Sequence, residues 1–448
     1  MTLDRYFEIR AHGSTVGTEI RAGLTTFVTM AYILPVNTEI LSAAGLQHGA
    51  VFMATVISSI IGCLMMGLWA KLPFALAPGM GLNAFFAFTA VLTLGMSPAT
   101  ALAAVLVEGV IFILLSISGL RTKLMHAIPH QIQIAVAAGI GLFITTLGFR
   151  QAGVVIANDA TLTAVAGSIV HSPGVLAIAG VLLTVALWLK RVPGALLFGI
   201  IGTWLLGMFC EITELMPFSK SIIPTTFISL PSFSDVSFGL AFEGFAGITD
   251  WNSFGGFVIV VLTFLYMDIF DTVGTFTAVL LNAGMVDKQG NFPQMDRAFL
   301  SDAVATTAGA LLGTSTVTTF AESAAGVREG GRTGLTAVTV AVAFAAASLL
   351  FPLVTAIPAF ATAPALIVVG IMMCAPLAEL QWRRVEVLVP AMVTVILMVS
   401  ANSISAGLMW GIIFYAACFT FAGRRREVGA VLWCLTVLFV IKLLFFDY

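Results

Sequence analysis

The chain has 448 residues, 59% of them hydrophobic and only 9% charged, with a net charge of −2. A soluble domain carries about 25% charged residues, so this chain lacks the polar groups to coat a soluble surface of its size. Apolar stretches of about 20 residues recur from Leu24 to the C-terminus, each long enough to cross a hydrocarbon core of roughly 30 Å as a helix.

The expected class is therefore an all-α polytopic membrane protein. The first residues are polar and contain no apolar run, so no cleaved signal is expected. Cytoplasmic loops are enriched in Lys and Arg. Arg5, Arg10 and Arg21 precede the first span. Lys71, then Arg121 with Lys123, then Lys190 with Arg191 follow alternate spans, and the pattern continues. Its later members are Lys288 and Arg297, Arg328 and Arg332, Arg383 and Arg384, and Arg424 to Arg426. Of the 20 Lys and Arg, only Arg150, Lys220 and Lys442 lie elsewhere. The alternation predicts a cytoplasmic N-terminus and about 14 spans ending near Ala422. Residues 428–446 are a surplus apolar stretch: a further helix, an interfacial one, or a sign that a span has been wrongly divided.

Within this frame the third tract is irregular. It reads APGMGLNAFF over residues 77–86. Pro78 lacks an N–H and disfavours helix at Ala77, while Gly79 and Gly81 permit extended or closely packed backbone. These residues predict an extended 74–80 and a short helix starting near Gly81. The tract has a counterpart further along. Residues 25–45, TTFVTMAYILPVNTEILSAAG, resemble 264–284, FLYMDIFDTVGTFTAVLLNAG, with Thr38 on Thr277, Leu41 on Leu280 and Gly45 on Gly284. The same offset of 239 carries Asn83 onto Glu322, in TVTTFAESAAGV. Ser315, Thr316, Thr318 and Thr319 favour an extended strand there, followed by a short helix starting near Phe320. Seven crossings separate the two tracts, so the second repeat is inverted in the membrane. Non-helical backbone survives at membrane depth only when buried in protein or lining a polar cavity. Paired half-helices at the midplane are how carriers build a binding site.

Acidic residues inside a span are costly and are functional by default. Glu322, Asp268, Asp271 and Glu108 are the candidates. Asp268 and Asp271 stand three apart, on one helix face. A buried carboxylate holds a proton more tightly and accepts hydrogen bonds, while the Asn83 amide donates and accepts. With the aromatics Phe85, Phe86, Tyr32 and Phe270 nearby in sequence, this set suits a flat heterocycle with polar edges. Thr29, Thr319, Phe320 and Ser323 complete the candidate lining. Glu108, with no acidic repeat partner, reads more simply as a structural hydrogen-bonding group. Asp250 and the acids of 211–251 read as an external loop.

Other classes find no support. The five cysteines show no CxxC spacing and the histidines are scattered, so no metal or cofactor is expected. HExxH, GxSxG and GxxxxGK[ST] are absent, and no pore pattern is apparent, which argues against an intramembrane enzyme, a primary pump and a channel. Nothing suggests nucleic acid as a partner.

The stretches EIRAGLTTFVTMAYILPVN (19–37), ALAPGMGLNAFFAF (75–88), AAGIGLFI (137–144), FDTVGT (270–275), GTSTVTTFAESAAGVREGGRTGLTAV (313–338) and ATAPALIVVGIMM (361–373) resemble the AzgA-like purine permeases. These are a branch of the nucleobase–cation symporters related to the uracil and xanthine carriers. The resemblance implies two inverted seven-span repeats. Residues 1–120 and 251–356 would form a core domain, and 121–250 and 357–448 a gate domain. It implies proton-coupled purine uptake across the cell membrane, with the base held between core and gate by Asn83, Asp268, Asp271 and Glu322. Which aspartate touches the base stays open, as do a second copy of the chain as partner, the identity of the purine, and proton against sodium coupling. Phe320 stands where many relatives have tyrosine.

Overall fold

In the computed structural model of the chain, the described residues are 3–118, 129–158, 162–166, 172–216, 218, 221–229, 237–249, 251–283, 294–401 and 403–445. Arg121, Lys123, Lys220, Asp250 and Lys288 lie outside them, as do the side chains of Phe270 and Lys442.

Helices dominate. Seven among the described residues are long and apolar enough to cross a membrane, and five shorter apolar helices accompany them. Many large apolar side chains face outward, among them Leu114, Ile117, Leu182, Leu189 and Phe421. A soluble protein would bury such side chains; here hydrocarbon is the solvent.

The first span, Val16–Ala43, is one helix in composition but two in geometry: Val16–Met30 and Ile33–Ala43. The cause is Pro35. It has no N–H to give the carbonyl of Ala31, four residues back, and its ring crowds that carbonyl. Leu34 N–H takes the Ala31 carbonyl instead, and regular bonding resumes with Val36 N–H on Tyr32. Tyr32 therefore sits at the bend.

The helices pack in two groups. Val16–Met30, His48–Leu64, Pro98–Ser118, Met295–Leu312 and Gly334–Ala347 pack on one another, joined by the 33-residue helix Trp251–Ala283. His130–Gln151, Pro173–Leu189, Ala195–Ile212, Ala359–Met372, Val385–Ser400 and Ile404–Phe421 form the second group. Close approach within the second group depends on missing side chains. A Cβ on Gly141 would run into the Gly370 carbonyl, and one on Gly370 into the Gly141 carbonyl. Small residues at helix contacts are the usual means of association in lipid. The surplus stretch at the C-terminus forms a helix, Ala430–Phe445, packed on Ile404–Phe421.

Among the described residues, two strand pairs interrupt the helical architecture. Val155–Asn158 pairs antiparallel with Leu162–Val165, a feature the sequence reading did not foresee. The other pair is Leu76–Pro78 with Val317–Thr319, also antiparallel. Its register puts Pro78 opposite Val317, and these are 239 residues apart. Each is thus the repeat equivalent of the other. An antiparallel ladder in which two equivalent residues face each other has a local twofold axis through that pair, here at the end of the three-residue ladder, which is what an inverted repeat requires.

Candidate functional site

Each strand leads into a short helix. Gly79 caps the first with extended backbone (φ −74°, ψ 132°), and the helix runs Met80–Ala84 before widening into a π-helix over Phe85–Thr93. The strand falls inside the expected 74–80, and the helix starts one residue before Gly81. The second half-helix is Ser323–Arg328, three residues later than expected from Phe320. The delay has a local cause: Ser323, Ala324 and Ala325 bond back to Phe320, Ala321 and Glu322 in tight i→i+3 turns, so regular α-helix begins only after one wound-up turn.

The crossing satisfies its own backbone. Gly79 N–H donates to Thr316 O (3.0 Å) and Phe320 N–H to Ala75 O (2.9 Å). Ala75 N–H donates to Ser323 Oγ (3.0 Å), which binds the first strand to the second half-helix. Ser315 Oγ donates to Asn83 Oδ1, and Asn83 Nδ2 lies 3.4 Å from Pro78 O. Both ends of the Asn83 amide are thereby engaged and the side chain is fully buried. It ties the first half-helix to the segment that leads into the second strand.

The two span-eight aspartates separate sharply. Asp268 is fully buried, and Thr272 Oγ1 lies 3.4 Å from its Oδ1. The same hydroxyl lies 2.7 Å from Asp302 Oδ2 and 2.9 Å from Thr318 Oγ1, and Thr319 Oγ1 reaches Asp302 Oδ1 at 3.4 Å. Asp268, Asp302, Thr272, Thr318 and Thr319 thus form a sealed polar network behind the second strand. Asp271, one turn on, is solvent-accessible although its helix is embedded in the protein. It stands beside Thr318 and Glu322. Its Oδ2 would lie 3.6 Å from a Cβ placed on Gly79, so it overlooks the entry to the first half-helix.

Glu322, at the head of the second half-helix, is partly accessible, and Ala321 beside it is exposed. Its Oε1 accepts the Tyr32 hydroxyl at 2.7 Å. Neither Asp271 nor Glu322 takes part in any of the ion pairs found among the described residues. The accessible polar cluster is therefore Asp271 and Glu322, with Tyr32 held behind Glu322.

Phe85 and Phe86 are fully buried, and Phe85 packs edge-on against Phe264 at 4.7 Å. Phe320 and Thr319 are also buried, and Thr29 bonds to the carbonyls of Thr25 and Thr26. Glu108 is fully buried, within 3.4 Å of the Thr316 hydroxyl.

Two acids escaped the sequence reading. Asp302 lies five residues after Arg297, one of the basic residues that mark a cytoplasmic loop, and stands in no motif. Glu19 looked like part of the polar N-terminus. It is fully buried, and its Oε1 accepts Arg332 N–H (3.0 Å). Its Oε2 accepts Thr333 N–H (3.2 Å) and the Thr336 hydroxyl (2.5 Å). These donors stand at the N-terminus of Gly334–Ala347, where a carboxylate is favoured.

Opposed half-helices joined by a strand pair inside a membrane-embedded helical body, with accessible carboxylates at their crossing, form the architecture of a transporter. The chain belongs to the Permease family, whose family model matches residues 17–423. It is 42% identical to the guanine/hypoxanthine permease PbuO of Bacillus subtilis (strain 168), over 98% of this chain and 99% of that one. It is 37% identical to the adenine permease AdeP of Escherichia coli (strain K12), over 99% and 96%. Among solved structures it is similar in fold to the transmembrane domain of the cyanobacterial bicarbonate transporter BicA. That similarity has a TM-score of 0.61 at 14% identity, over 87% of this chain and 97% of that one. The protein is thus a multi-pass membrane permease and not an enzyme.

Proposed function

We propose that this permease imports purine bases across the cell membrane by alternating access, driven by a proton gradient. The observation that carries the reading is the pair of accessible carboxylates, Asp271 and Glu322, at the half-helix crossing. A carboxylate accepts hydrogen bonds from the N–H edge of a base, and it would repel an anion. Full-length similarity to permeases named for guanine, hypoxanthine and adenine supports the same substrate class. Oxopurines are favoured over adenine.

On this reading Asp271 is the ligand aspartate and Asp268 belongs to the polar network behind it. Asn83 acts by holding the first half-helix to the segment that leads into the second strand. Glu322 or a span-eight aspartate carries the coupling proton, since an acid inside a span can be loaded on one side and emptied on the other. The first helix group, with residues 1–120 and 251–356, is the core. The second, with 121–250 and 357–448, is the gate. The positive-inside pattern supports 14 spans and a cytoplasmic N-terminus.

The test is accumulation of radiolabelled hypoxanthine, guanine and adenine by cells expressing the protein. Accumulation that a protonophore abolishes is expected. Uptake that survives the protonophore but requires sodium refutes proton coupling, and absence of uptake of all three bases refutes the substrate class.

A further inference from the structure

The strand pair at the crossing has two outer edges, and both lie inside the membrane-embedded body. Backbone groups there have no water to turn to, so an outward N–H or C=O needs a partner in the protein. In the first strand segment Ala75 and Gly79 bond across to Phe320 and Thr316. Successive residues of a strand turn their backbone groups to opposite sides, so Leu76 and Pro78 face outward. Pro78 has no N–H to satisfy, as suits an edge, and its carbonyl has Asn83 Nδ2 at 3.4 Å. Leu76 turns both of its groups to one side chain. Its N–H donates to Cys63 Sγ at 3.2 Å, and Sγ donates to its carbonyl at 3.4 Å. In the second strand Val317 faces outward, and its carbonyl accepts the Thr306 hydroxyl at 2.7 Å. Cys63, Leu76, Thr306 and Val317 are all fully buried. The helices that supply these side chains come close through glycine. A Cβ on Gly62, next to Cys63, would lie 2.9 Å from Leu76 Cβ, and one on Gly309 2.9 Å from Val317 Cγ2. The 239-residue offset does not relate the two caps, since it carries Cys63 onto Asp302 and Thr306 onto Gly67. Each strand edge is closed in its own way.

We infer that Cys63 and Thr306 are positioning residues of the transport site: by closing the outer edges of the two strands they fix the direction in which each half-helix leaves the crossing. This rests on the purine reading above. Both residues act through the strands. Gly79, which Asp271 overlooks, directly follows Pro78, and Glu322 follows the second strand after Phe320 and Ala321. A strand released at its outer edge shifts, and the spacing between Asp271 and Glu322 changes with it. A base bound to that pair then loses affinity whatever its substituents.

Thr306→Val keeps the shape and removes the hydroxyl, Thr306→Ser keeps the hydroxyl, and Cys63→Ala removes the thiol. Initial-rate uptake is measured with labelled hypoxanthine and with labelled guanine, normalised to protein in the membrane. Thr306→Val and Cys63→Ala should each raise KM about tenfold for both bases alike, which corresponds to roughly 1.4 kcal/mol, the order of one buried group left unpaired. Vmax should stay within about threefold, and Thr306→Ser should stay within about twofold of the unsubstituted protein in both constants. An unaltered KM in either Thr306→Val or Cys63→Ala overturns the proposal, because a purely structural bond lowers stability and leaves the affinity of the folded protein as it was. Thr306→Ser behaving as Thr306→Val overturns it too. Variants that reach the membrane but transport too slowly to measure are compared by the stabilisation that each base gives the purified protein against thermal unfolding. A smaller shift than in the unsubstituted protein is then expected, and an equal one overturns the proposal. Absence of both variants from the membrane also overturns it, since the two bonds then serve folding alone. The unsubstituted protein is assayed alongside: if it takes up neither base, the purine reading fails, whereas uptake with KM unaltered in the variants refutes only the role of Cys63 and Thr306.

Discussion

Glu19→Ala should destabilise the protein severely, although Glu19 lies in what reads as a polar N-terminal segment. The carboxylate takes two backbone N–H groups, from Arg332 and Thr333, and the Thr336 hydroxyl. Removing it strands the two N–H groups, whereas the hydroxyl keeps an alternative acceptor in the Glu19 carbonyl at 3.4 Å. A buried donor left unsatisfied costs about 1–3 kcal/mol, so two such donors cost about 2–6 kcal/mol. That is a large share of a typical folding free energy of about 5–15 kcal/mol. Glu19→Gln should fall between the two, because one amide oxygen can satisfy one N–H while the amide NH₂ confronts the other donors. The assay is thermal unfolding of purified protein in detergent, with uptake measured in parallel. The expected order of melting temperature is Glu19, then Gln, then Ala. Equal melting temperatures for all three would refute the reasoning, since they would mean that water or relaxation replaces all these bonds at no cost.

Three further outcomes are expected. Asp271→Asn should abolish uptake with little loss of stability, because the side chain is accessible, whereas Asp268→Asn should lower the melting temperature through the Thr272–Asp302 network; thermal unfolding with uptake separates the two. Gly326→Ala should lose transport, because a Cβ there would run into the Ala22 carbonyl and Thr26 Oγ1 and force the second half-helix away from the first span. Gly17→Ala, which meets nothing within 4 Å, is its control and should transport normally. Glu386, at the start of Val385–Ser400 and outside the spans, is held below the usual carboxylate range by its own backbone N–H and by Arg384. A depressed pKa stabilises the fold above the ordinary glutamate value of about 4.3 and the effect is lost as pH falls through the folded value. The difference in melting temperature between the protein and Glu386→Gln should therefore be present at neutral pH and vanish in acid.

Much of this could be read from the chain itself. Hydropathy and the alternation of basic residues announce a polytopic helical membrane protein, because a bilayer permits few architectures and imposes the same demand on every span. The proline and glycines of 77–86, and the polar run before Glu322, mark the breaks, because irregular backbone inside a membrane must be local and deliberate. The 239-residue offset paired those breaks, and the strand register carries the same number, since an inverted repeat leaves its arithmetic in the sequence. Tertiary structure decided what periodicity cannot encode. Asp268 and Asp271 share a helix face, yet one is sealed behind a strand and the other is accessible, because the strand that separates them comes from elsewhere in the chain. Phe85 and Phe86 are aromatic neighbours of the break, but packing against Phe264 and the surrounding core buries them. Glu19 and Asp302 look peripheral along the sequence and become buried only when distant segments close over them. Tyr32 meets Glu322 because Pro35 bends one span toward another, and a contact between segments so far apart exists only once both are folded.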